Sequence, residues 1–268
     1  MSAHATIDRI LWAFFIIHFL LYPASNGYNS YFDKDEKSIG GLKHPPPVNR
    51  GLYGLALLFD AAAILLGYLK INTTFAAMLL VYGLVSKAYS HPAIRLKKYA
   101  WTSWLITGLF QGLFTFLMSY VGVNDVGLSD ALRAPVIVPG ILTSLMLWAN
   151  YPLTQIYQHD EDRKRGDITL SARLGILGTF YFAASVFTIA IAAFLFYFKY
   201  VYSDLHAWVF LIAHVPILAY FFYWFAQCLK SRSSADYTHT MRLNYISGFL
   251  LNAYFLLLYF DTHSGAIN

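Results

Sequence analysis

Eight runs of apolar residues, each about 20 long and so able to cross roughly 30 Å of hydrocarbon, follow one another along the chain. They lie near residues 7–25, 51–70, 72–90, 100–121, 134–154, 174–198, 205–229 and 241–260. Inside a bilayer every backbone N–H and C=O must be satisfied within the protein, and a helix does this within its own segment. The expected fold is therefore all-α and integral to the membrane, a bundle of about eight transmembrane helices. Composition agrees: 58% of the 268 residues are hydrophobic and 12% are charged, outside the range of soluble globular domains. Gly40-Gly41, Pro45-Pro46-Pro47, Asn72, Pro92 and the 124–130 loop mark the joins. No stretch reads as a soluble domain, so residues 1–268 are expected to form one transmembrane domain.

The first run is not read as a cleaved signal. Asp8 accompanies Arg9 before it, which makes a poor positive n-region, and cleavage near Pro23-Ala24-Ser25 would discard the polar residues that follow. Cys228 is the only cysteine, so no internal disulfide forms.

Charge gives an orientation. The joins after the first, third, fifth and seventh runs hold Lys34, Lys37, Lys43, Arg50, Lys87, Arg95, Lys97, Lys98, Arg163, Lys164, Arg165, Arg173, Lys230, Arg232 and Arg242, while the other side has Arg9, Lys70, Arg133 and Lys199. Fifteen of the 19 Lys and Arg thus fall on one side. The positive-inside rule makes that side cytoplasmic, with loops near 33–50, 90–99, 159–173 and 230–240 and both termini opposite. In a bacterium this is the inner or plasma membrane. The same asymmetry accounts for most of the net charge of +5, so no nucleic-acid partner is expected.

Two polar stretches interrupt this pattern on the same side. In the first, Asn26, Asn29, Asp33 and Glu36 recur at steps of three, four and three, so a helix continuing through them would place all four on one face. In the second, Gln155, Gln158 and Asp162 recur at similar steps and a basic run, Arg163-Lys164-Arg165, follows at once. Oxygen donors beside cations suit a magnesium ion holding an anionic, phosphate-bearing substrate. The plainer alternatives are a helix end meeting water and a solvated loop whose acids balance its bases. Residues 87–98 add Arg95, Lys97 and Lys98 on the same side and by themselves read as a positive-inside loop. Asp60, within an apolar run, is either functional or a helix-packing group. His18 and His214 read as satisfied packing residues, and Gln111 and Asn150 as helix glue or cavity lining.

Together these stretches resemble the UbiA family of intramembrane prenyltransferases, nearest to the branch with chlorophyll synthases and homogentisate prenyltransferases. Asn29-Ser30-Tyr31-Phe32-Asp33 is similar to the family's first motif, with Ser30 where an Asp stands in the family and Lys37 where its last Asp is expected; Glu36, and less well Asp35, could substitute for the latter. Asp162, Arg163, Lys164, Gly166, Thr169, Leu170, Arg173, Leu174 and Gly175 match its second motif, with Gln158 in place of the leading Asp. Tyr89-Ser90-His91-Pro92 and Arg95-Leu96-Lys97 look like its tyrosine and lysine loop, and Lys43-His44-Pro45 like its basic element after the first motif. In the family the first motif ends the second of nine helices, whereas here it ends the first, as in a chain lacking the family's first helix.

The resemblance implies a helical bundle around a central cavity and transfer of an isoprenoid group from a prenyl diphosphate to a lipophilic, usually aromatic, acceptor within the bilayer. It implies Mg²⁺ held by Asn29, Asp33, Glu36, Gln158 and Asp162, diphosphate bound by Lys43, Arg95, Lys97, Arg163 and Lys164, and roles for Asp33, Asp162 and Tyr89 in catalysis. Asn26, Gln155, Asn150 and Asp60 would lie around the ligands or in the cavity. The rival readings are a UbiA-like protein without transferase activity, serving terpenoid cyclisation, and a transporter, although no internal repeat of the transporter kind is evident.

Overall fold

In the computed structural model, which describes residues 6–264, eight long helices run through the chain: α1 (Ile7–Asp33), α2 (Arg50–Lys70), α3 (Thr73–Ser90), α4 (Ala100–Asn124), α5 (Ala134–Thr154), α6 (Leu170–Val201), α7 (Asp204–Lys230) and α8 (Tyr237–Ser264). Seven are long and apolar enough to cross a membrane; α3, with 18 residues and Lys87 in its last turn, is the shortest. Each apolar run forms one helix. The first helix runs past the expected end at residue 25 to Asp33, which carries the first polar stretch on helical backbone.

Local chemistry sets the ends. Asn49, Asn72, Thr169 and Ser203 accept a main-chain N–H from the first turns of α2, α3, α6 and α7, each satisfying one of the donors a helix start leaves open. Lys34 stops α1 in a left-handed conformation (φ 50°). Gly175, at φ 70°, breaks α6 one turn in, a conformation glycine adopts without steric cost.

The first four helices share one apolar core built from Ile16, Leu21, Phe75, Leu79, Met118 and Val121. The last four share two, around Leu153, Phe180 and Trp224 and around Leu142, Phe198 and Phe210. The seam between the halves is α4 against α5. There a π-turn at Leu109–Phe114 disturbs the normal ladder, and Ser144 of α5 fills the gap: its hydroxyl accepts from Leu113 N at 2.8 Å and donates to the Gly108 carbonyl at 2.8 Å. Gly112 makes this approach possible, since a Cβ there would sit 2.6 Å from Ser144 Cα and 2.7 Å from its nitrogen. The outer faces remain apolar, with Phe249 75% and Phe196 65% exposed, as lipid contact requires.

Candidate active site

A cavity of about 820 Å³ opens where the ends of α1, α3 and α5 meet the loops that follow them. The last turns of α1 bring Ser25, Asn26, Asn29, Ser30 and Asp33 to its wall. The loop after α3 brings Lys97, and the segment after α5 brings Gln155, Gln158, Asp162, Arg165 and Asp167. Deeper in, Tyr82, Tyr89, Ile106, Phe110, Gln111 and Tyr151 make the wall largely aromatic and apolar. Residues 39–48, including Pro45-Pro46-Pro47, cover one side.

Ion pairs between the three segments hold the polar end together. Arg95 lies at φ 47°, and after it the chain forms a single 3₁₀ turn, Leu96–Lys98, that turns Lys97 inward to 7% exposure. The Lys97 ammonium pairs with Asp33 and donates to Asn29 Oδ1 at 3.0 Å, and Ser90 Oγ donates to the same oxygen at 2.8 Å. Burial pulls Lys97 below the ordinary lysine range, opposed by Asp33. Arg95 holds Asp167 with both prongs of its guanidinium, at 2.7 and 2.8 Å, and reaches Asp33 at 3.4 Å. The hydrogen bond to Asp167 is the main cause of its raised pKa.

Asp162 and Arg165 sit three residues apart on the short helix His159–Arg165, hence on one face. Arg165 donates to Asp162 Oδ1 at 2.8 Å and pairs with Asp35. Burial disfavours its charge, but Asp35, Asp33 and Asp162 outweigh this and raise its pKa. Burial pushes the Asp162 carboxyl up to about 6, with Arg165 opposing, and it raises Asp35 in the same way. A short parallel bridge, Tyr99 with Ile168 and Ala100 with Thr169, fastens the loop after α3 to the loop after the short helix.

Of the residues expected at a site, Asn26, Asn29, Asp33, Tyr89, Lys97, Gln155, Gln158 and Asp162 line this one cavity. Arg95 stands behind the wall and acts through Asp33 and Asp167. The other expected residues lie off this wall. Glu36 is exposed and off the wall, because the left-handed Lys34 ends the helix before its register reaches residue 36; Asp35 lines the cavity instead. Arg163 and Lys164 are exposed on the outer side of their helix, and Arg165 is the cation that faces in. Lys43 is exposed, and its main-chain carbonyl accepts from Ser38 Oγ at 2.9 Å. Asp60 lies outside the cavity wall, between helices, paired with Lys87, which is thereby a helix residue and not a loop cation. Asn150 lines a separate cavity and bonds Asn244 at 3.2 Å.

Three residues sequence reading passed over belong to the site: Arg165, Asp167 and Tyr151, the last hydroxyl to hydroxyl with Tyr89. The three-residue step from Asp162 to Arg165 was the available signal for the first.

The donors present fit a hard cation. Among the described residues no three His, Cys, Asp or Glu side chains gather closely enough to hold a metal by themselves, so a metal bound here would also need amide oxygens. Asn29 and Gln158 carry such oxygens at the cavity wall, and the buried Gln155 Oε1 has no hydrogen-bond donor. Magnesium completes such partial sets with water and phosphate oxygens.

The UbiA prenyltransferase family model matches residues 1–252. Among solved structures, a digeranylgeranylglyceryl phosphate synthase superimposes with a TM-score of 0.59 at 20% identity, over 94% of this chain and 86% of that one. No curated protein matches the sequence.

Proposed function

The chain belongs to the UbiA prenyltransferase family and is an integral membrane enzyme that transfers prenyl groups; from that premise we propose that it moves an isoprenoid group from a prenyl diphosphate, ionised with the help of Mg²⁺, to a lipophilic acceptor within the bilayer, the aromatic class being the favoured one. What carries the reading is the convergence of three sequence-distant segments, with Asn29, Asp33, Lys97, Gln158, Asp162 and Arg165 around the polar end of one cavity whose deeper wall is aromatic.

Asn29, Asp33, Gln158 and Asp162 would hold Mg²⁺, with Asp35 and Gln155 beside them. When bound, Mg²⁺ supplies charge neutralisation of the diphosphate leaving group. Lys97 and Arg165 bind phosphate oxygens from the wall, and Arg95 keeps Asp33 and Asp167 in place behind them. The allylic C–O bond breaks, diphosphate leaves with the electron pair, the acceptor atom bonds the same carbon, and the acceptor loses its proton. Tyr82, Tyr89 and Phe110 line the aromatic wall, where ring faces would stabilise the developing positive charge at a distance from the polar end. By the positive-inside rule, the diphosphate end faces the cytoplasm.

The test is release of diphosphate from geranyl, farnesyl, geranylgeranyl or phytyl diphosphate by purified protein with Mg²⁺ and a panel of aromatic acceptors. Release that depends on Mg²⁺ and on acceptor supports the reading; inactivity with every donor, in protein whose fold is intact, overturns it.

A further inference from the structure

α4 brings to the deep wall of the active-site cavity one polar side chain that the chemistry of diphosphate departure leaves without a task. Ile106, Thr107, Phe110 and Gln111 of this helix line that wall, together with Tyr82, Tyr89 and Tyr151. Gln111 is the twelfth of the 25 residues of α4, about 16 Å along the helix from its start at Ala100 and so near the middle of the span. It is exposed at the cavity wall, and among the described residues nothing hydrogen-bonds its side-chain amide. Its backbone is fixed. Gln111 lies inside the π-turn Leu109–Phe114, where Leu113 N and the Gly108 carbonyl are both tied to Ser144 and Gly112 is pressed against α5.

A primary amide offers two N–H donors and a carbonyl acceptor, and leaving them unpaired among apolar groups is costly. A polar side chain turned to a cavity at membrane depth is characteristic of a substrate path. On the transferase reading, from which this inference proceeds, two reactants compete for that place. The prenyl tail is hydrocarbon and would strand both halves of the amide. The acceptor is the reactant with a polar group to offer, and a ring hydroxyl accepts from the amide N–H and donates to the amide carbonyl through one oxygen.

Charge narrows the class further. The cations on the cavity wall are Lys97 and Arg165, both at the polar end and both paired with carboxylates, and the wall's acids, Asp33, Asp35, Asp162 and Asp167, outnumber them. An aromatic carboxylate beside Gln111 would be an ion at membrane depth without a counter-ion, whereas a ring hydroxyl is neutral. We propose that Gln111 selects the acceptor: its side-chain amide binds the hydroxyl of a neutral hydroxylated ring, a phenol or hydroquinone in class, and disfavours aromatic carboxylates.

The test uses the purified full chain in detergent micelles, with Mg²⁺ and a non-reactive prenyl diphosphate analogue filling the polar end, and ¹⁹F NMR with 4-fluorophenol, 4-fluoroanisole and 4-fluorobenzoate. Saturable binding of fluorophenol is expected, on the order of five- to tenfold tighter than fluoroanisole, the worth of one hydrogen bond, with fluorobenzoate weakest. Gln111→Met, which keeps the length of the side chain and removes the amide, should bring fluorophenol to the level of fluoroanisole. Equal affinities in the unsubstituted protein, an undiminished preference in Gln111→Met, fluorobenzoate binding as tightly as fluorophenol, or no saturable binding of any probe would each overturn the proposal. If Gln111→Met does not fold, the ranking of the three probes in the unsubstituted protein decides. In the transfer assay Gln111→Met should raise KM for a phenolic acceptor and not for the prenyl diphosphate; a rise for the donor alone would place Gln111 against the prenyl tail and also overturn the assignment. Binding is read without turnover, so a protein that releases no diphosphate would sink the transferase reading while the probe ranking still decides this one.

Discussion

Lys97 donates to Asn29 Oδ1 at 3.0 Å, across a sequence separation of 68 residues. The same ammonium pairs with Asp33, one helical turn further along α1. A single buried cation from the loop after α3 thus bridges the amide and the carboxylate of the first polar stretch, between the very oxygens proposed to receive a metal.

Asp33→Ala and Asp162→Ala should each lower kcat by at least about a hundredfold, the order of effect seen when one charge-stabilising group is removed from a reaction centre. Steady-state diphosphate release, with circular dichroism as the fold control, is the measurement. Normal rates in both variants would contradict the site. Lys97→Met should also lose activity.

Arg165 and Arg163 should behave differently although they are two residues apart. Arg165→Ala leaves the buried Asp35 and Asp162 without their cation, and stability should fall by about 3 kcal/mol with activity largely lost. Arg163, exposed on the outer face, should change stability by less than about 0.5 kcal/mol when replaced by Ala. Thermal unfolding in detergent distinguishes them; equal losses would mean that the short helix is rotated from the orientation described.

Asp162 titrates near pH 6 because burial disfavours its charge, so it is mostly ionised at about pH 7 and mostly protonated at about pH 5. Protons and metal compete for a carboxylate ligand. Apparent Mg²⁺ affinity, measured calorimetrically with a non-reactive diphosphate analogue, should be nearly flat above about pH 7 and weaken by up to tenfold per unit below about pH 6. Asp162→Asn should bind weakly at every pH and lose that slope. A pH-independent affinity in the unsubstituted protein removes Asp162 from the ligand set.

Lys87 and Asp60 are half-buried together between α2 and α3, with the Lys87 ammonium also 5.1 Å from the Tyr28 ring centre. Lys87→Met strands a half-buried carboxylate and should cost about 1–3 kcal/mol, whereas Lys87→Met combined with Asp60→Leu should recover most of it. A double variant no better than the single would mean that the pair contributes through something other than charge.

Gly112→Ala should destabilise by about 1–3 kcal/mol, since its methyl group meets the backbone of Ser144 and neither helix yields easily there. Gly54, with nothing within 4 Å of the same position, serves as the control and should accept Ala with little change. The comparison is between midpoints of unfolding in one detergent.

The helices were legible because apolar runs of membrane length admit little else, and the convergence of three segments was legible from charge and family pattern. Which cations and acids face inward was not. Glu36 shares a helical register with Asp33 on paper, yet register ends where Lys34 adopts φ 50°, and nothing in a Lys codon announces a left-handed residue. Arg163, Lys164 and Arg165 are chemically interchangeable as a run; the rotation of a seven-residue helix against the cavity selects among them. Asp167 has no helical spacing to betray it, since it follows the turn at Gly166, and only tertiary contact with Arg95 marks it.

The cover over the cavity, residues 38–48, is attached lightly. Ile39 and Leu42 exchange one pair of main-chain hydrogen bonds, Ser38 bonds Lys43 and accepts a long 3.4 Å contact from Gln158, and three consecutive prolines have no N–H to offer. Lifting such a segment breaks few bonds and leaves every helix end intact. The consequence is a division of stiffness: the charged groups at the polar end of the cavity are locked to one another by ion pairs, while the wall beside them is a proline strap held by few hydrogen bonds.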